Sequence, residues 1–322
     1  MQERSSPDVL RDVAQRAIDV FEAAGDSVHL ADAWQLMGIA ELAALDRGAQ
    51  LRALLEARKH AIESGDIRRQ IEAWNEVGGS MLFGRTPVTE VLEFLDDELA
   101  WGREHGLAAI EADALLGGPY LDSRLGRFDE ARDKLERSKA ICRELGIRYG
   151  LSEAHWAGAQ MEQLAGDPAA AERELLAAIQ VATEMGASRY VAIYRTGLAG
   201  VLLDQGRDEE AVAELEQARE IGIDAPLWKS NRARALARLG RIDDAVELAR
   251  EAANSIARSD NITSEAEVLV HLAEVMRAAG DADDASEALT QAVALHQEKG
   301  NVLNAEQCRR LLANEPATGA GA

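Results

Sequence analysis

Glycine-centred turns recur along this chain at nearly fixed intervals, which commits it to a stack of similar short units. One set runs Gly25, Gly65, Gly106, Gly146, Gly186, Gly222 and Gly300, with Asp260-Asn261 standing where a glycine is missing. Its steps are 40, 41, 40, 40, 36 and 78 residues, the last spanning two units. A second set, half a period out of phase, is Gly126, Gly166, Gly206, Gly240 and Gly280, with steps of 40, 40, 34 and 40. Self-similarity at such a period marks a repeat array, in which each unit buries its apolar face on its neighbours.

Between the turns, apolar residues recur at three and four, the helical period, so each unit reads as two antiparallel helices, A then B. Asp or Pro just after a turn glycine supplies helix-start chemistry, as in Gly166-Asp167-Pro168, and Thr86-Pro87 does the same. Ala131, Ala171, Ala211, Ala245 and Ala285 each follow a hairpin glycine by five residues, small enough to let helix B approach helix A. Leu135, Leu175, Leu215 and Leu289 follow four residues later on the same face and are expected in the core. The expected fold is all-α, a right-handed superhelical solenoid. Its expected layout is an N-terminal half-repeat helix in 1–24, seven helix pairs in 25–300, a capping helix in 301–313 and a disordered tail in 314–322.

Two irregularities interrupt the pattern. Gly206 to Gly222 spans 16 residues where the other B halves take 20, a loss close to one helical turn. Gly117-Gly118-Pro119 lies inside an A helix, where proline removes a backbone donor and is expected to kink or break it.

Composition narrows the function. The formal charge of −22 argues against a nucleic-acid backbone as partner, since phosphate contacts need clustered Lys and Arg. Cys142 and Cys308 fit no metal or disulfide spacing, which suits a reducing, cytoplasmic setting. The first residues carry no apolar leader core, and no run approaches 18 apolar residues, so no membrane span is expected. The six histidines are scattered, and no H-E-x-x-H, C-x-x-C or G-x-S-x-G occurs. Paired acids such as Asp96-Asp97 and Asp283-Asp284 sit at helix starts or on solvent faces. Neither catalysis nor a cofactor or metal site is expected.

The unit resembles the tetratricopeptide repeat, lengthened to a ~40-residue period. Leu272, Ala273, Met276, Gly280, Ala285, Leu289 and Ala292 fall where that motif wants them. Trp74, Val77 and Gly78 resemble its W-x-x-L-G opening, as do Trp34, Met37 and Gly38. The run LARLGRIDDAVELAREA, and the later stretch ending Lys299-Gly300-Asn301-Val302 with Ala305-Glu306, are similar to the C-terminal repeat region of bacterial nucleotide-cyclase and signal-transduction ATPase proteins and related transcription activators. That resemblance implies a sensing or partner-docking arm. No G-x-x-x-x-G-K-[ST] phosphate loop is present, so whether the chain is stand-alone or a fragment of a longer product stays open.

In tetratricopeptide arrays the A helices line the concave face. Carrying that register over implies a groove with Tyr120, Arg124, Trp156, Gln160, Gln163, Thr196, Asn231, Arg234, Arg238, His271, Glu274 and Arg277, with Tyr149, Tyr190 and Tyr194 nearby by sequence. Exposed aromatic and arginine side chains are what binding hot spots favour; the alternative is that the rings pack between helices. From Ala225 to Arg241 the chain carries Lys229, Arg232, Arg234, Arg238 and Arg241 with no acid, a local inversion in a chain with 57 acidic residues. This stretch either faces an anion on a partner or pairs with acids of adjacent helices such as Glu214, Glu216 and Glu220. The expected partner is a protein or peptide, acidic where it meets that stretch. The other reading is a small-molecule effector held in a closed pocket of converging polar groups.

Overall fold

A computed structural model describes residues 6–313 and contains sixteen α-helices and no strand among them. The expected disordered tail, 314–322, lies outside the described residues, as do residues 1–5 of the N-terminal half-repeat. The chain divides into two compact units, one of residues 6–86 with 258–261, the other of 87–257 with 262–313. None of the helices is long and apolar enough to cross a membrane.

The first unit holds α1 (Pro7–Ala24), α2 (Ser27–Ala43), α3 (Arg47–Ser64) and α4 (Ile67–Phe83). Each packs on the next, and Gly38 of α2 shows why it has no side chain, since a Cβ there would meet Leu54 of α3 at 2.9 Å. The second unit begins with α5 (Val88–Glu104), α6 (Ala108–Arg124), α7 (Phe128–Leu145), α8 (Arg148–Ala165), α9 (Pro168–Glu184) and α10 (Ser188–Asp204). It continues through α11 (Asp208–Glu220), α12 (Pro226–Arg238), α13 (Ile242–Ile256), α14 (Ile262–Ala278), α15 (Ala282–Lys299) and α16 (Val302–Ala313).

The turn glycines do what the period demands of them. All twelve adopt left-handed φ between 65° and 98°, a conformation only glycine takes freely. Asp260, where the first set lacks a glycine, takes φ 51°. Leu45 takes φ 66° at a turn that carries no glycine and was not legible in the sequence. Starts are less uniform: the Asp167 side chain accepts from Ala170 N at 2.9 Å, with Pro168 opening the helix behind it, whereas α6, α7 and α8 have no side-chain cap. Pro87 itself occupies the capping position of α5 and supplies no side-chain acceptor, so only half of that expectation holds.

The hairpin alanines are fully buried, and Leu135, Leu175, Leu215 and Leu289 are at most 2% exposed. Burying each leucine contributes about 2 kcal/mol, which short helices need because they are marginal alone. Helix α6 runs unbroken through Pro119, contrary to expectation. Its packing against α5, α7 and α8 offsets the one lost backbone bond. The shortening after Gly206 affects two helices, since α11 and α12 both have 13 residues.

Within the second unit, α6, α8, α10, α12 and α14 follow one another, α8 and α10 joined by Gln163 to Asp204 and Tyr194 to Ser152. The C-terminal α16 returns to touch α6, and Leu303 lies against the Gly126 turn. A partly open space therefore lies between this series and α16.

Candidate functional site

That space is a cavity of about 330 Å³, lined by one or more side chains from α6, α8, α10, α12, α14, α15 and α16. Its size lies in the range of small-ligand pockets. Two of its walls differ in how their charges are satisfied.

The first wall is neutralised internally. Arg234 of α12, 5% exposed, donates from Nη2 to Asp204 Oδ1 and from Nε to Glu274 Oε2, each at 2.6 Å. Arg238 adds a second donor to Glu274 at 2.8 Å, and Gln163 donates to Asp204 at 2.7 Å. Burial alone would raise Glu274, but Arg234 and Arg238 hold it below the usual carboxylate range. His271 accepts or donates at Nδ1 to Ser230 Oγ at 2.9 Å. Burial and then the Arg234 charge push His271 well below its ordinary value, so it is neutral at pH 7.

The second wall is not. Arg124, at the end of α6, is 6% exposed and makes one hydrogen bond among the described residues, from Nη1 to Tyr120 O at 2.6 Å. Its guanidinium lies over the Tyr120 ring, 3.4 Å from the centroid, and its Nε has no partner. No carboxylate of the described residues pairs with it. Facing the same cavity, Glu267 of α14 makes no hydrogen bond or ion pair among the described residues. Burial raises Glu267 above the usual carboxylate range even though Arg124 and Arg234 both pull it down. Buried acceptors without partners, Thr263 Oγ1 and Asn304 Oδ1, border the same space. Burial and the Arg124 charge lower His296 to about 4 and Lys299 to about 7. Burial raises the cavity-lining Cys308 to about 11, which keeps it a neutral thiol. Leu164, Val270 and Leu311 supply the apolar part.

Of the residues expected in a groove, Arg124, Gln160, Gln163, Arg234, His271 and Glu274 meet in this cavity. The rest do not. Tyr120 and Tyr194 are buried and so are not exposed anchors. Tyr120 stacks on Trp156 at 5.8 Å, and Tyr194 Oη donates to Glu153 and, at 3.2 Å, to Ser152. Asn231 is buried too, donating to Thr196 O at 3.1 Å. Half-buried Tyr190 meets Tyr149 edge-on at 5.1 Å, and Tyr149 keeps 47% of its surface exposed. Lys229 is drawn away to Asp224 and Glu251.

The basic stretch is therefore answered from within: Arg232 pairs with Glu216, Arg241 with Asp244, and Arg238 with Asp208 as well as Glu274. Of the acids expected as partners only Glu216 serves, while Glu214 is taken by Arg195. Sequence reasoning missed Glu267, His296, Asn304 and Cys308. Glu267 lies one helical turn before His271, and Asn304, Cys308 and Leu311 form one face of α16, which was read only as a cap.

Comparisons with known proteins agree with this architecture. Residues 224–298 match the family model of the tetratricopeptide repeat. No curated protein matches the sequence. Among solved structures, a Rap protein complexed with competence and sporulation factor is similar with a TM-score of 0.71 at 12% identity, over 86% of this chain and 77% of that one. The apo form of the quorum sensor NprR from B. thuringiensis gives a TM-score of 0.57 at 13% identity, over 86% and 80%. A signal transduction ATPase with numerous domains and a tetratricopeptide repeat sensor, from Pyrococcus horikoshii, gives 0.55 at 12% identity, over 94% of this chain and 52% of that one. At such identities the likeness is one of fold: an all-α solenoid of tetratricopeptide-like helices.

Proposed function

We propose that this chain is a non-catalytic recognition arm of a signalling system, and that the cavity of the second unit is where its ligand sits. One observation carries the reading: Arg124 and Glu267, opposite in charge and neither in an ion pair among the described residues, line one space that α16 borders where it returns to α6. Leaving a buried charge unpaired is costly, and a ligand supplies the missing partner. The signalling context is supported by fold likeness to a quorum sensor and to a sensor-bearing ATPase. In this reading the protein does no chemistry on its ligand; it changes the stability of the closed array and passes that change to an attached or docked partner. The division into a half-repeat, seven pairs and a capping helix is proposed as the repeat bookkeeping behind it.

Native mass spectrometry of the full chain, after incubation with a low-mass extract of peptides and metabolites, tests this directly. A retained species, together with slower amide exchange in α14 and α16, is the expected result. Retention with protection elsewhere would overturn the assignment of the cavity.

A second reading, a protein or peptide docking along the concave helices, is favoured by the exposed Tyr149 against Tyr190. Tyrosines so placed supply contact area at low entropic cost. Loss of partner binding on Tyr149→Ala with the cavity intact would select it.

A further inference from the structure

The cavity's unpaired groups specify more than a place. We propose that it binds a small zwitterion, with the ligand carboxylate against Arg124 and the ligand ammonium against Glu267. This rests on the reading of the cavity as the ligand site and adds the chemical class of what enters it.

Three features lead there. Arg124 has one carbonyl partner and no carboxylate, so most of its donors await an anion of matching planar geometry. Glu267 is acceptor-only when ionised and in no hydrogen bond among the described residues, and Asn304 Oδ1 and Thr263 Oγ1 beside the cavity are buried oxygens without partners. Unmatched donors and unmatched acceptors lining one cavity fit a molecule that carries both charges. A simple dicarboxylate would be repelled by Glu267, and a simple diamine by Arg124. Leu164, Val270 and Leu311, beside neutral amides and histidines, suit an aliphatic body rather than a second charge. At about 330 Å³ the space holds a free amino acid or a dipeptide, and it has no room for a folded domain.

The two sources share this chemistry and are separable by titration. Isothermal calorimetry on the full chain would use the L-amino acids and a set of aliphatic dipeptides, each beside its N-acetyl and carboxamide forms. One zwitterion is expected to saturate at one site per chain. Blocking either of its ends should weaken it by about tenfold or more, the size of one lost charge-assisted bond. Glu267→Gln should weaken the zwitterion similarly while improving the N-acetyl form, because the unpaired carboxylate no longer repels or strands itself. Arg124→Met should impair the carboxylate end and spare the carboxamide form. Melting curves establish that both variants fold.

If the free amino acid binds and the dipeptides do not, the ligand is a metabolite; the reverse identifies a peptide product. Equal affinity for blocked and unblocked forms overturns the zwitterion. So does a low-mass extract ligand that wild type retains and Arg124→Met loses while the whole panel fails; there the cavity reading survives. Retention of nothing from panel or extract overturns both.

Discussion

The Arg234 guanidinium meets the Glu274 carboxylate at 2.6 Å, joining two helices whose contacting residues are forty positions apart. Arg234 is the buried partner of this pair and also holds Asp204, so its loss leaves Glu274 to Arg238 alone and Asp204 to Gln163. Arg234→Ala should lower unfolding free energy by about 2–3 kcal/mol, the cost of losing hydrogen bonds to charged groups. Arg238→Ala, whose side chain is 30% exposed, should cost about 1 kcal/mol or less. Charge reversal at Arg234 is accordingly a folding mutation and not the clean probe of partner binding that the basic stretch promised on its own. Urea denaturation of the two alanine variants checks the ranking.

Arg124 presents the opposite case. Without a ligand its buried charge brings little return beyond one carbonyl bond and a stacked ring. Replacing such a group with an apolar side chain of similar volume is often neutral or stabilising. Arg124→Met should therefore melt at the same temperature as the unliganded wild type or higher. A drop of several degrees would mean that Arg124 is structural.

Leu45 holds a left-handed φ of 66° that every other turn of this kind, except at Asp260, assigns to glycine. That conformation costs a non-glycine residue about 1–2 kcal/mol, while glycine loses about 0.5–1 kcal/mol more in backbone entropy on folding. Leu45 is 49% exposed, so its burial contributes little. Leu45→Gly is expected to raise the stability of the first unit by about 0.5 kcal/mol, measurable as a shift in denaturant midpoint without a change in slope.

Asp113 of α6 gives a pH signature. Burial raises it from 3.8 to about 6, with no cation nearby to oppose the shift. Between those values the folded state keeps a proton that the unfolded state has released. Stability should thus fall as pH rises from about 4 to 6, and the loss is complete above that window. Asp113→Asn should flatten this part of the profile and make the protein more stable at pH 7. Its neighbours Glu153 and Tyr149 face it from α8, and Glu153 is also raised by burial, so a residual slope is expected from that residue.

The period, the helix starts and all twelve glycine turns were legible because each is a local rule written into a few consecutive residues. The cavity was not, because its walls come from helices far apart in sequence. Arg124 and Cys308 share it only because α16 returns to α6. The pairing of the basic stretch was partly within reach. Arg234 with Glu274, Ser230 with His271, Gln163 with Asp204 and Gln35 with Glu76 are each 40 or 41 residues apart, one repeat along. Complementary groups at that offset can be found in a repeat sequence without a structure. The burial of Tyr120 and Tyr194 could not, since a ring on the inner face of an A helix is exposed or covered according to what its neighbours leave open.

The contact of α16 with α6 spans ten helices, and the Gly300 turn before it lies against Val88 of α5, while the larger helix contacts of the unit join neighbours one or two places apart. An array with nearest-neighbour contacts alone can nucleate anywhere and fray from its ends. Here α16 is the helix that touches α6 from the far side of the unit, so the cavity is complete only once that helix has packed. A chain cut short before Val302 would keep its helices and lose the chamber. In the intact chain a ligand held there is expected to raise the melting temperature of the second unit, and the shortened chain is expected to lose that rise.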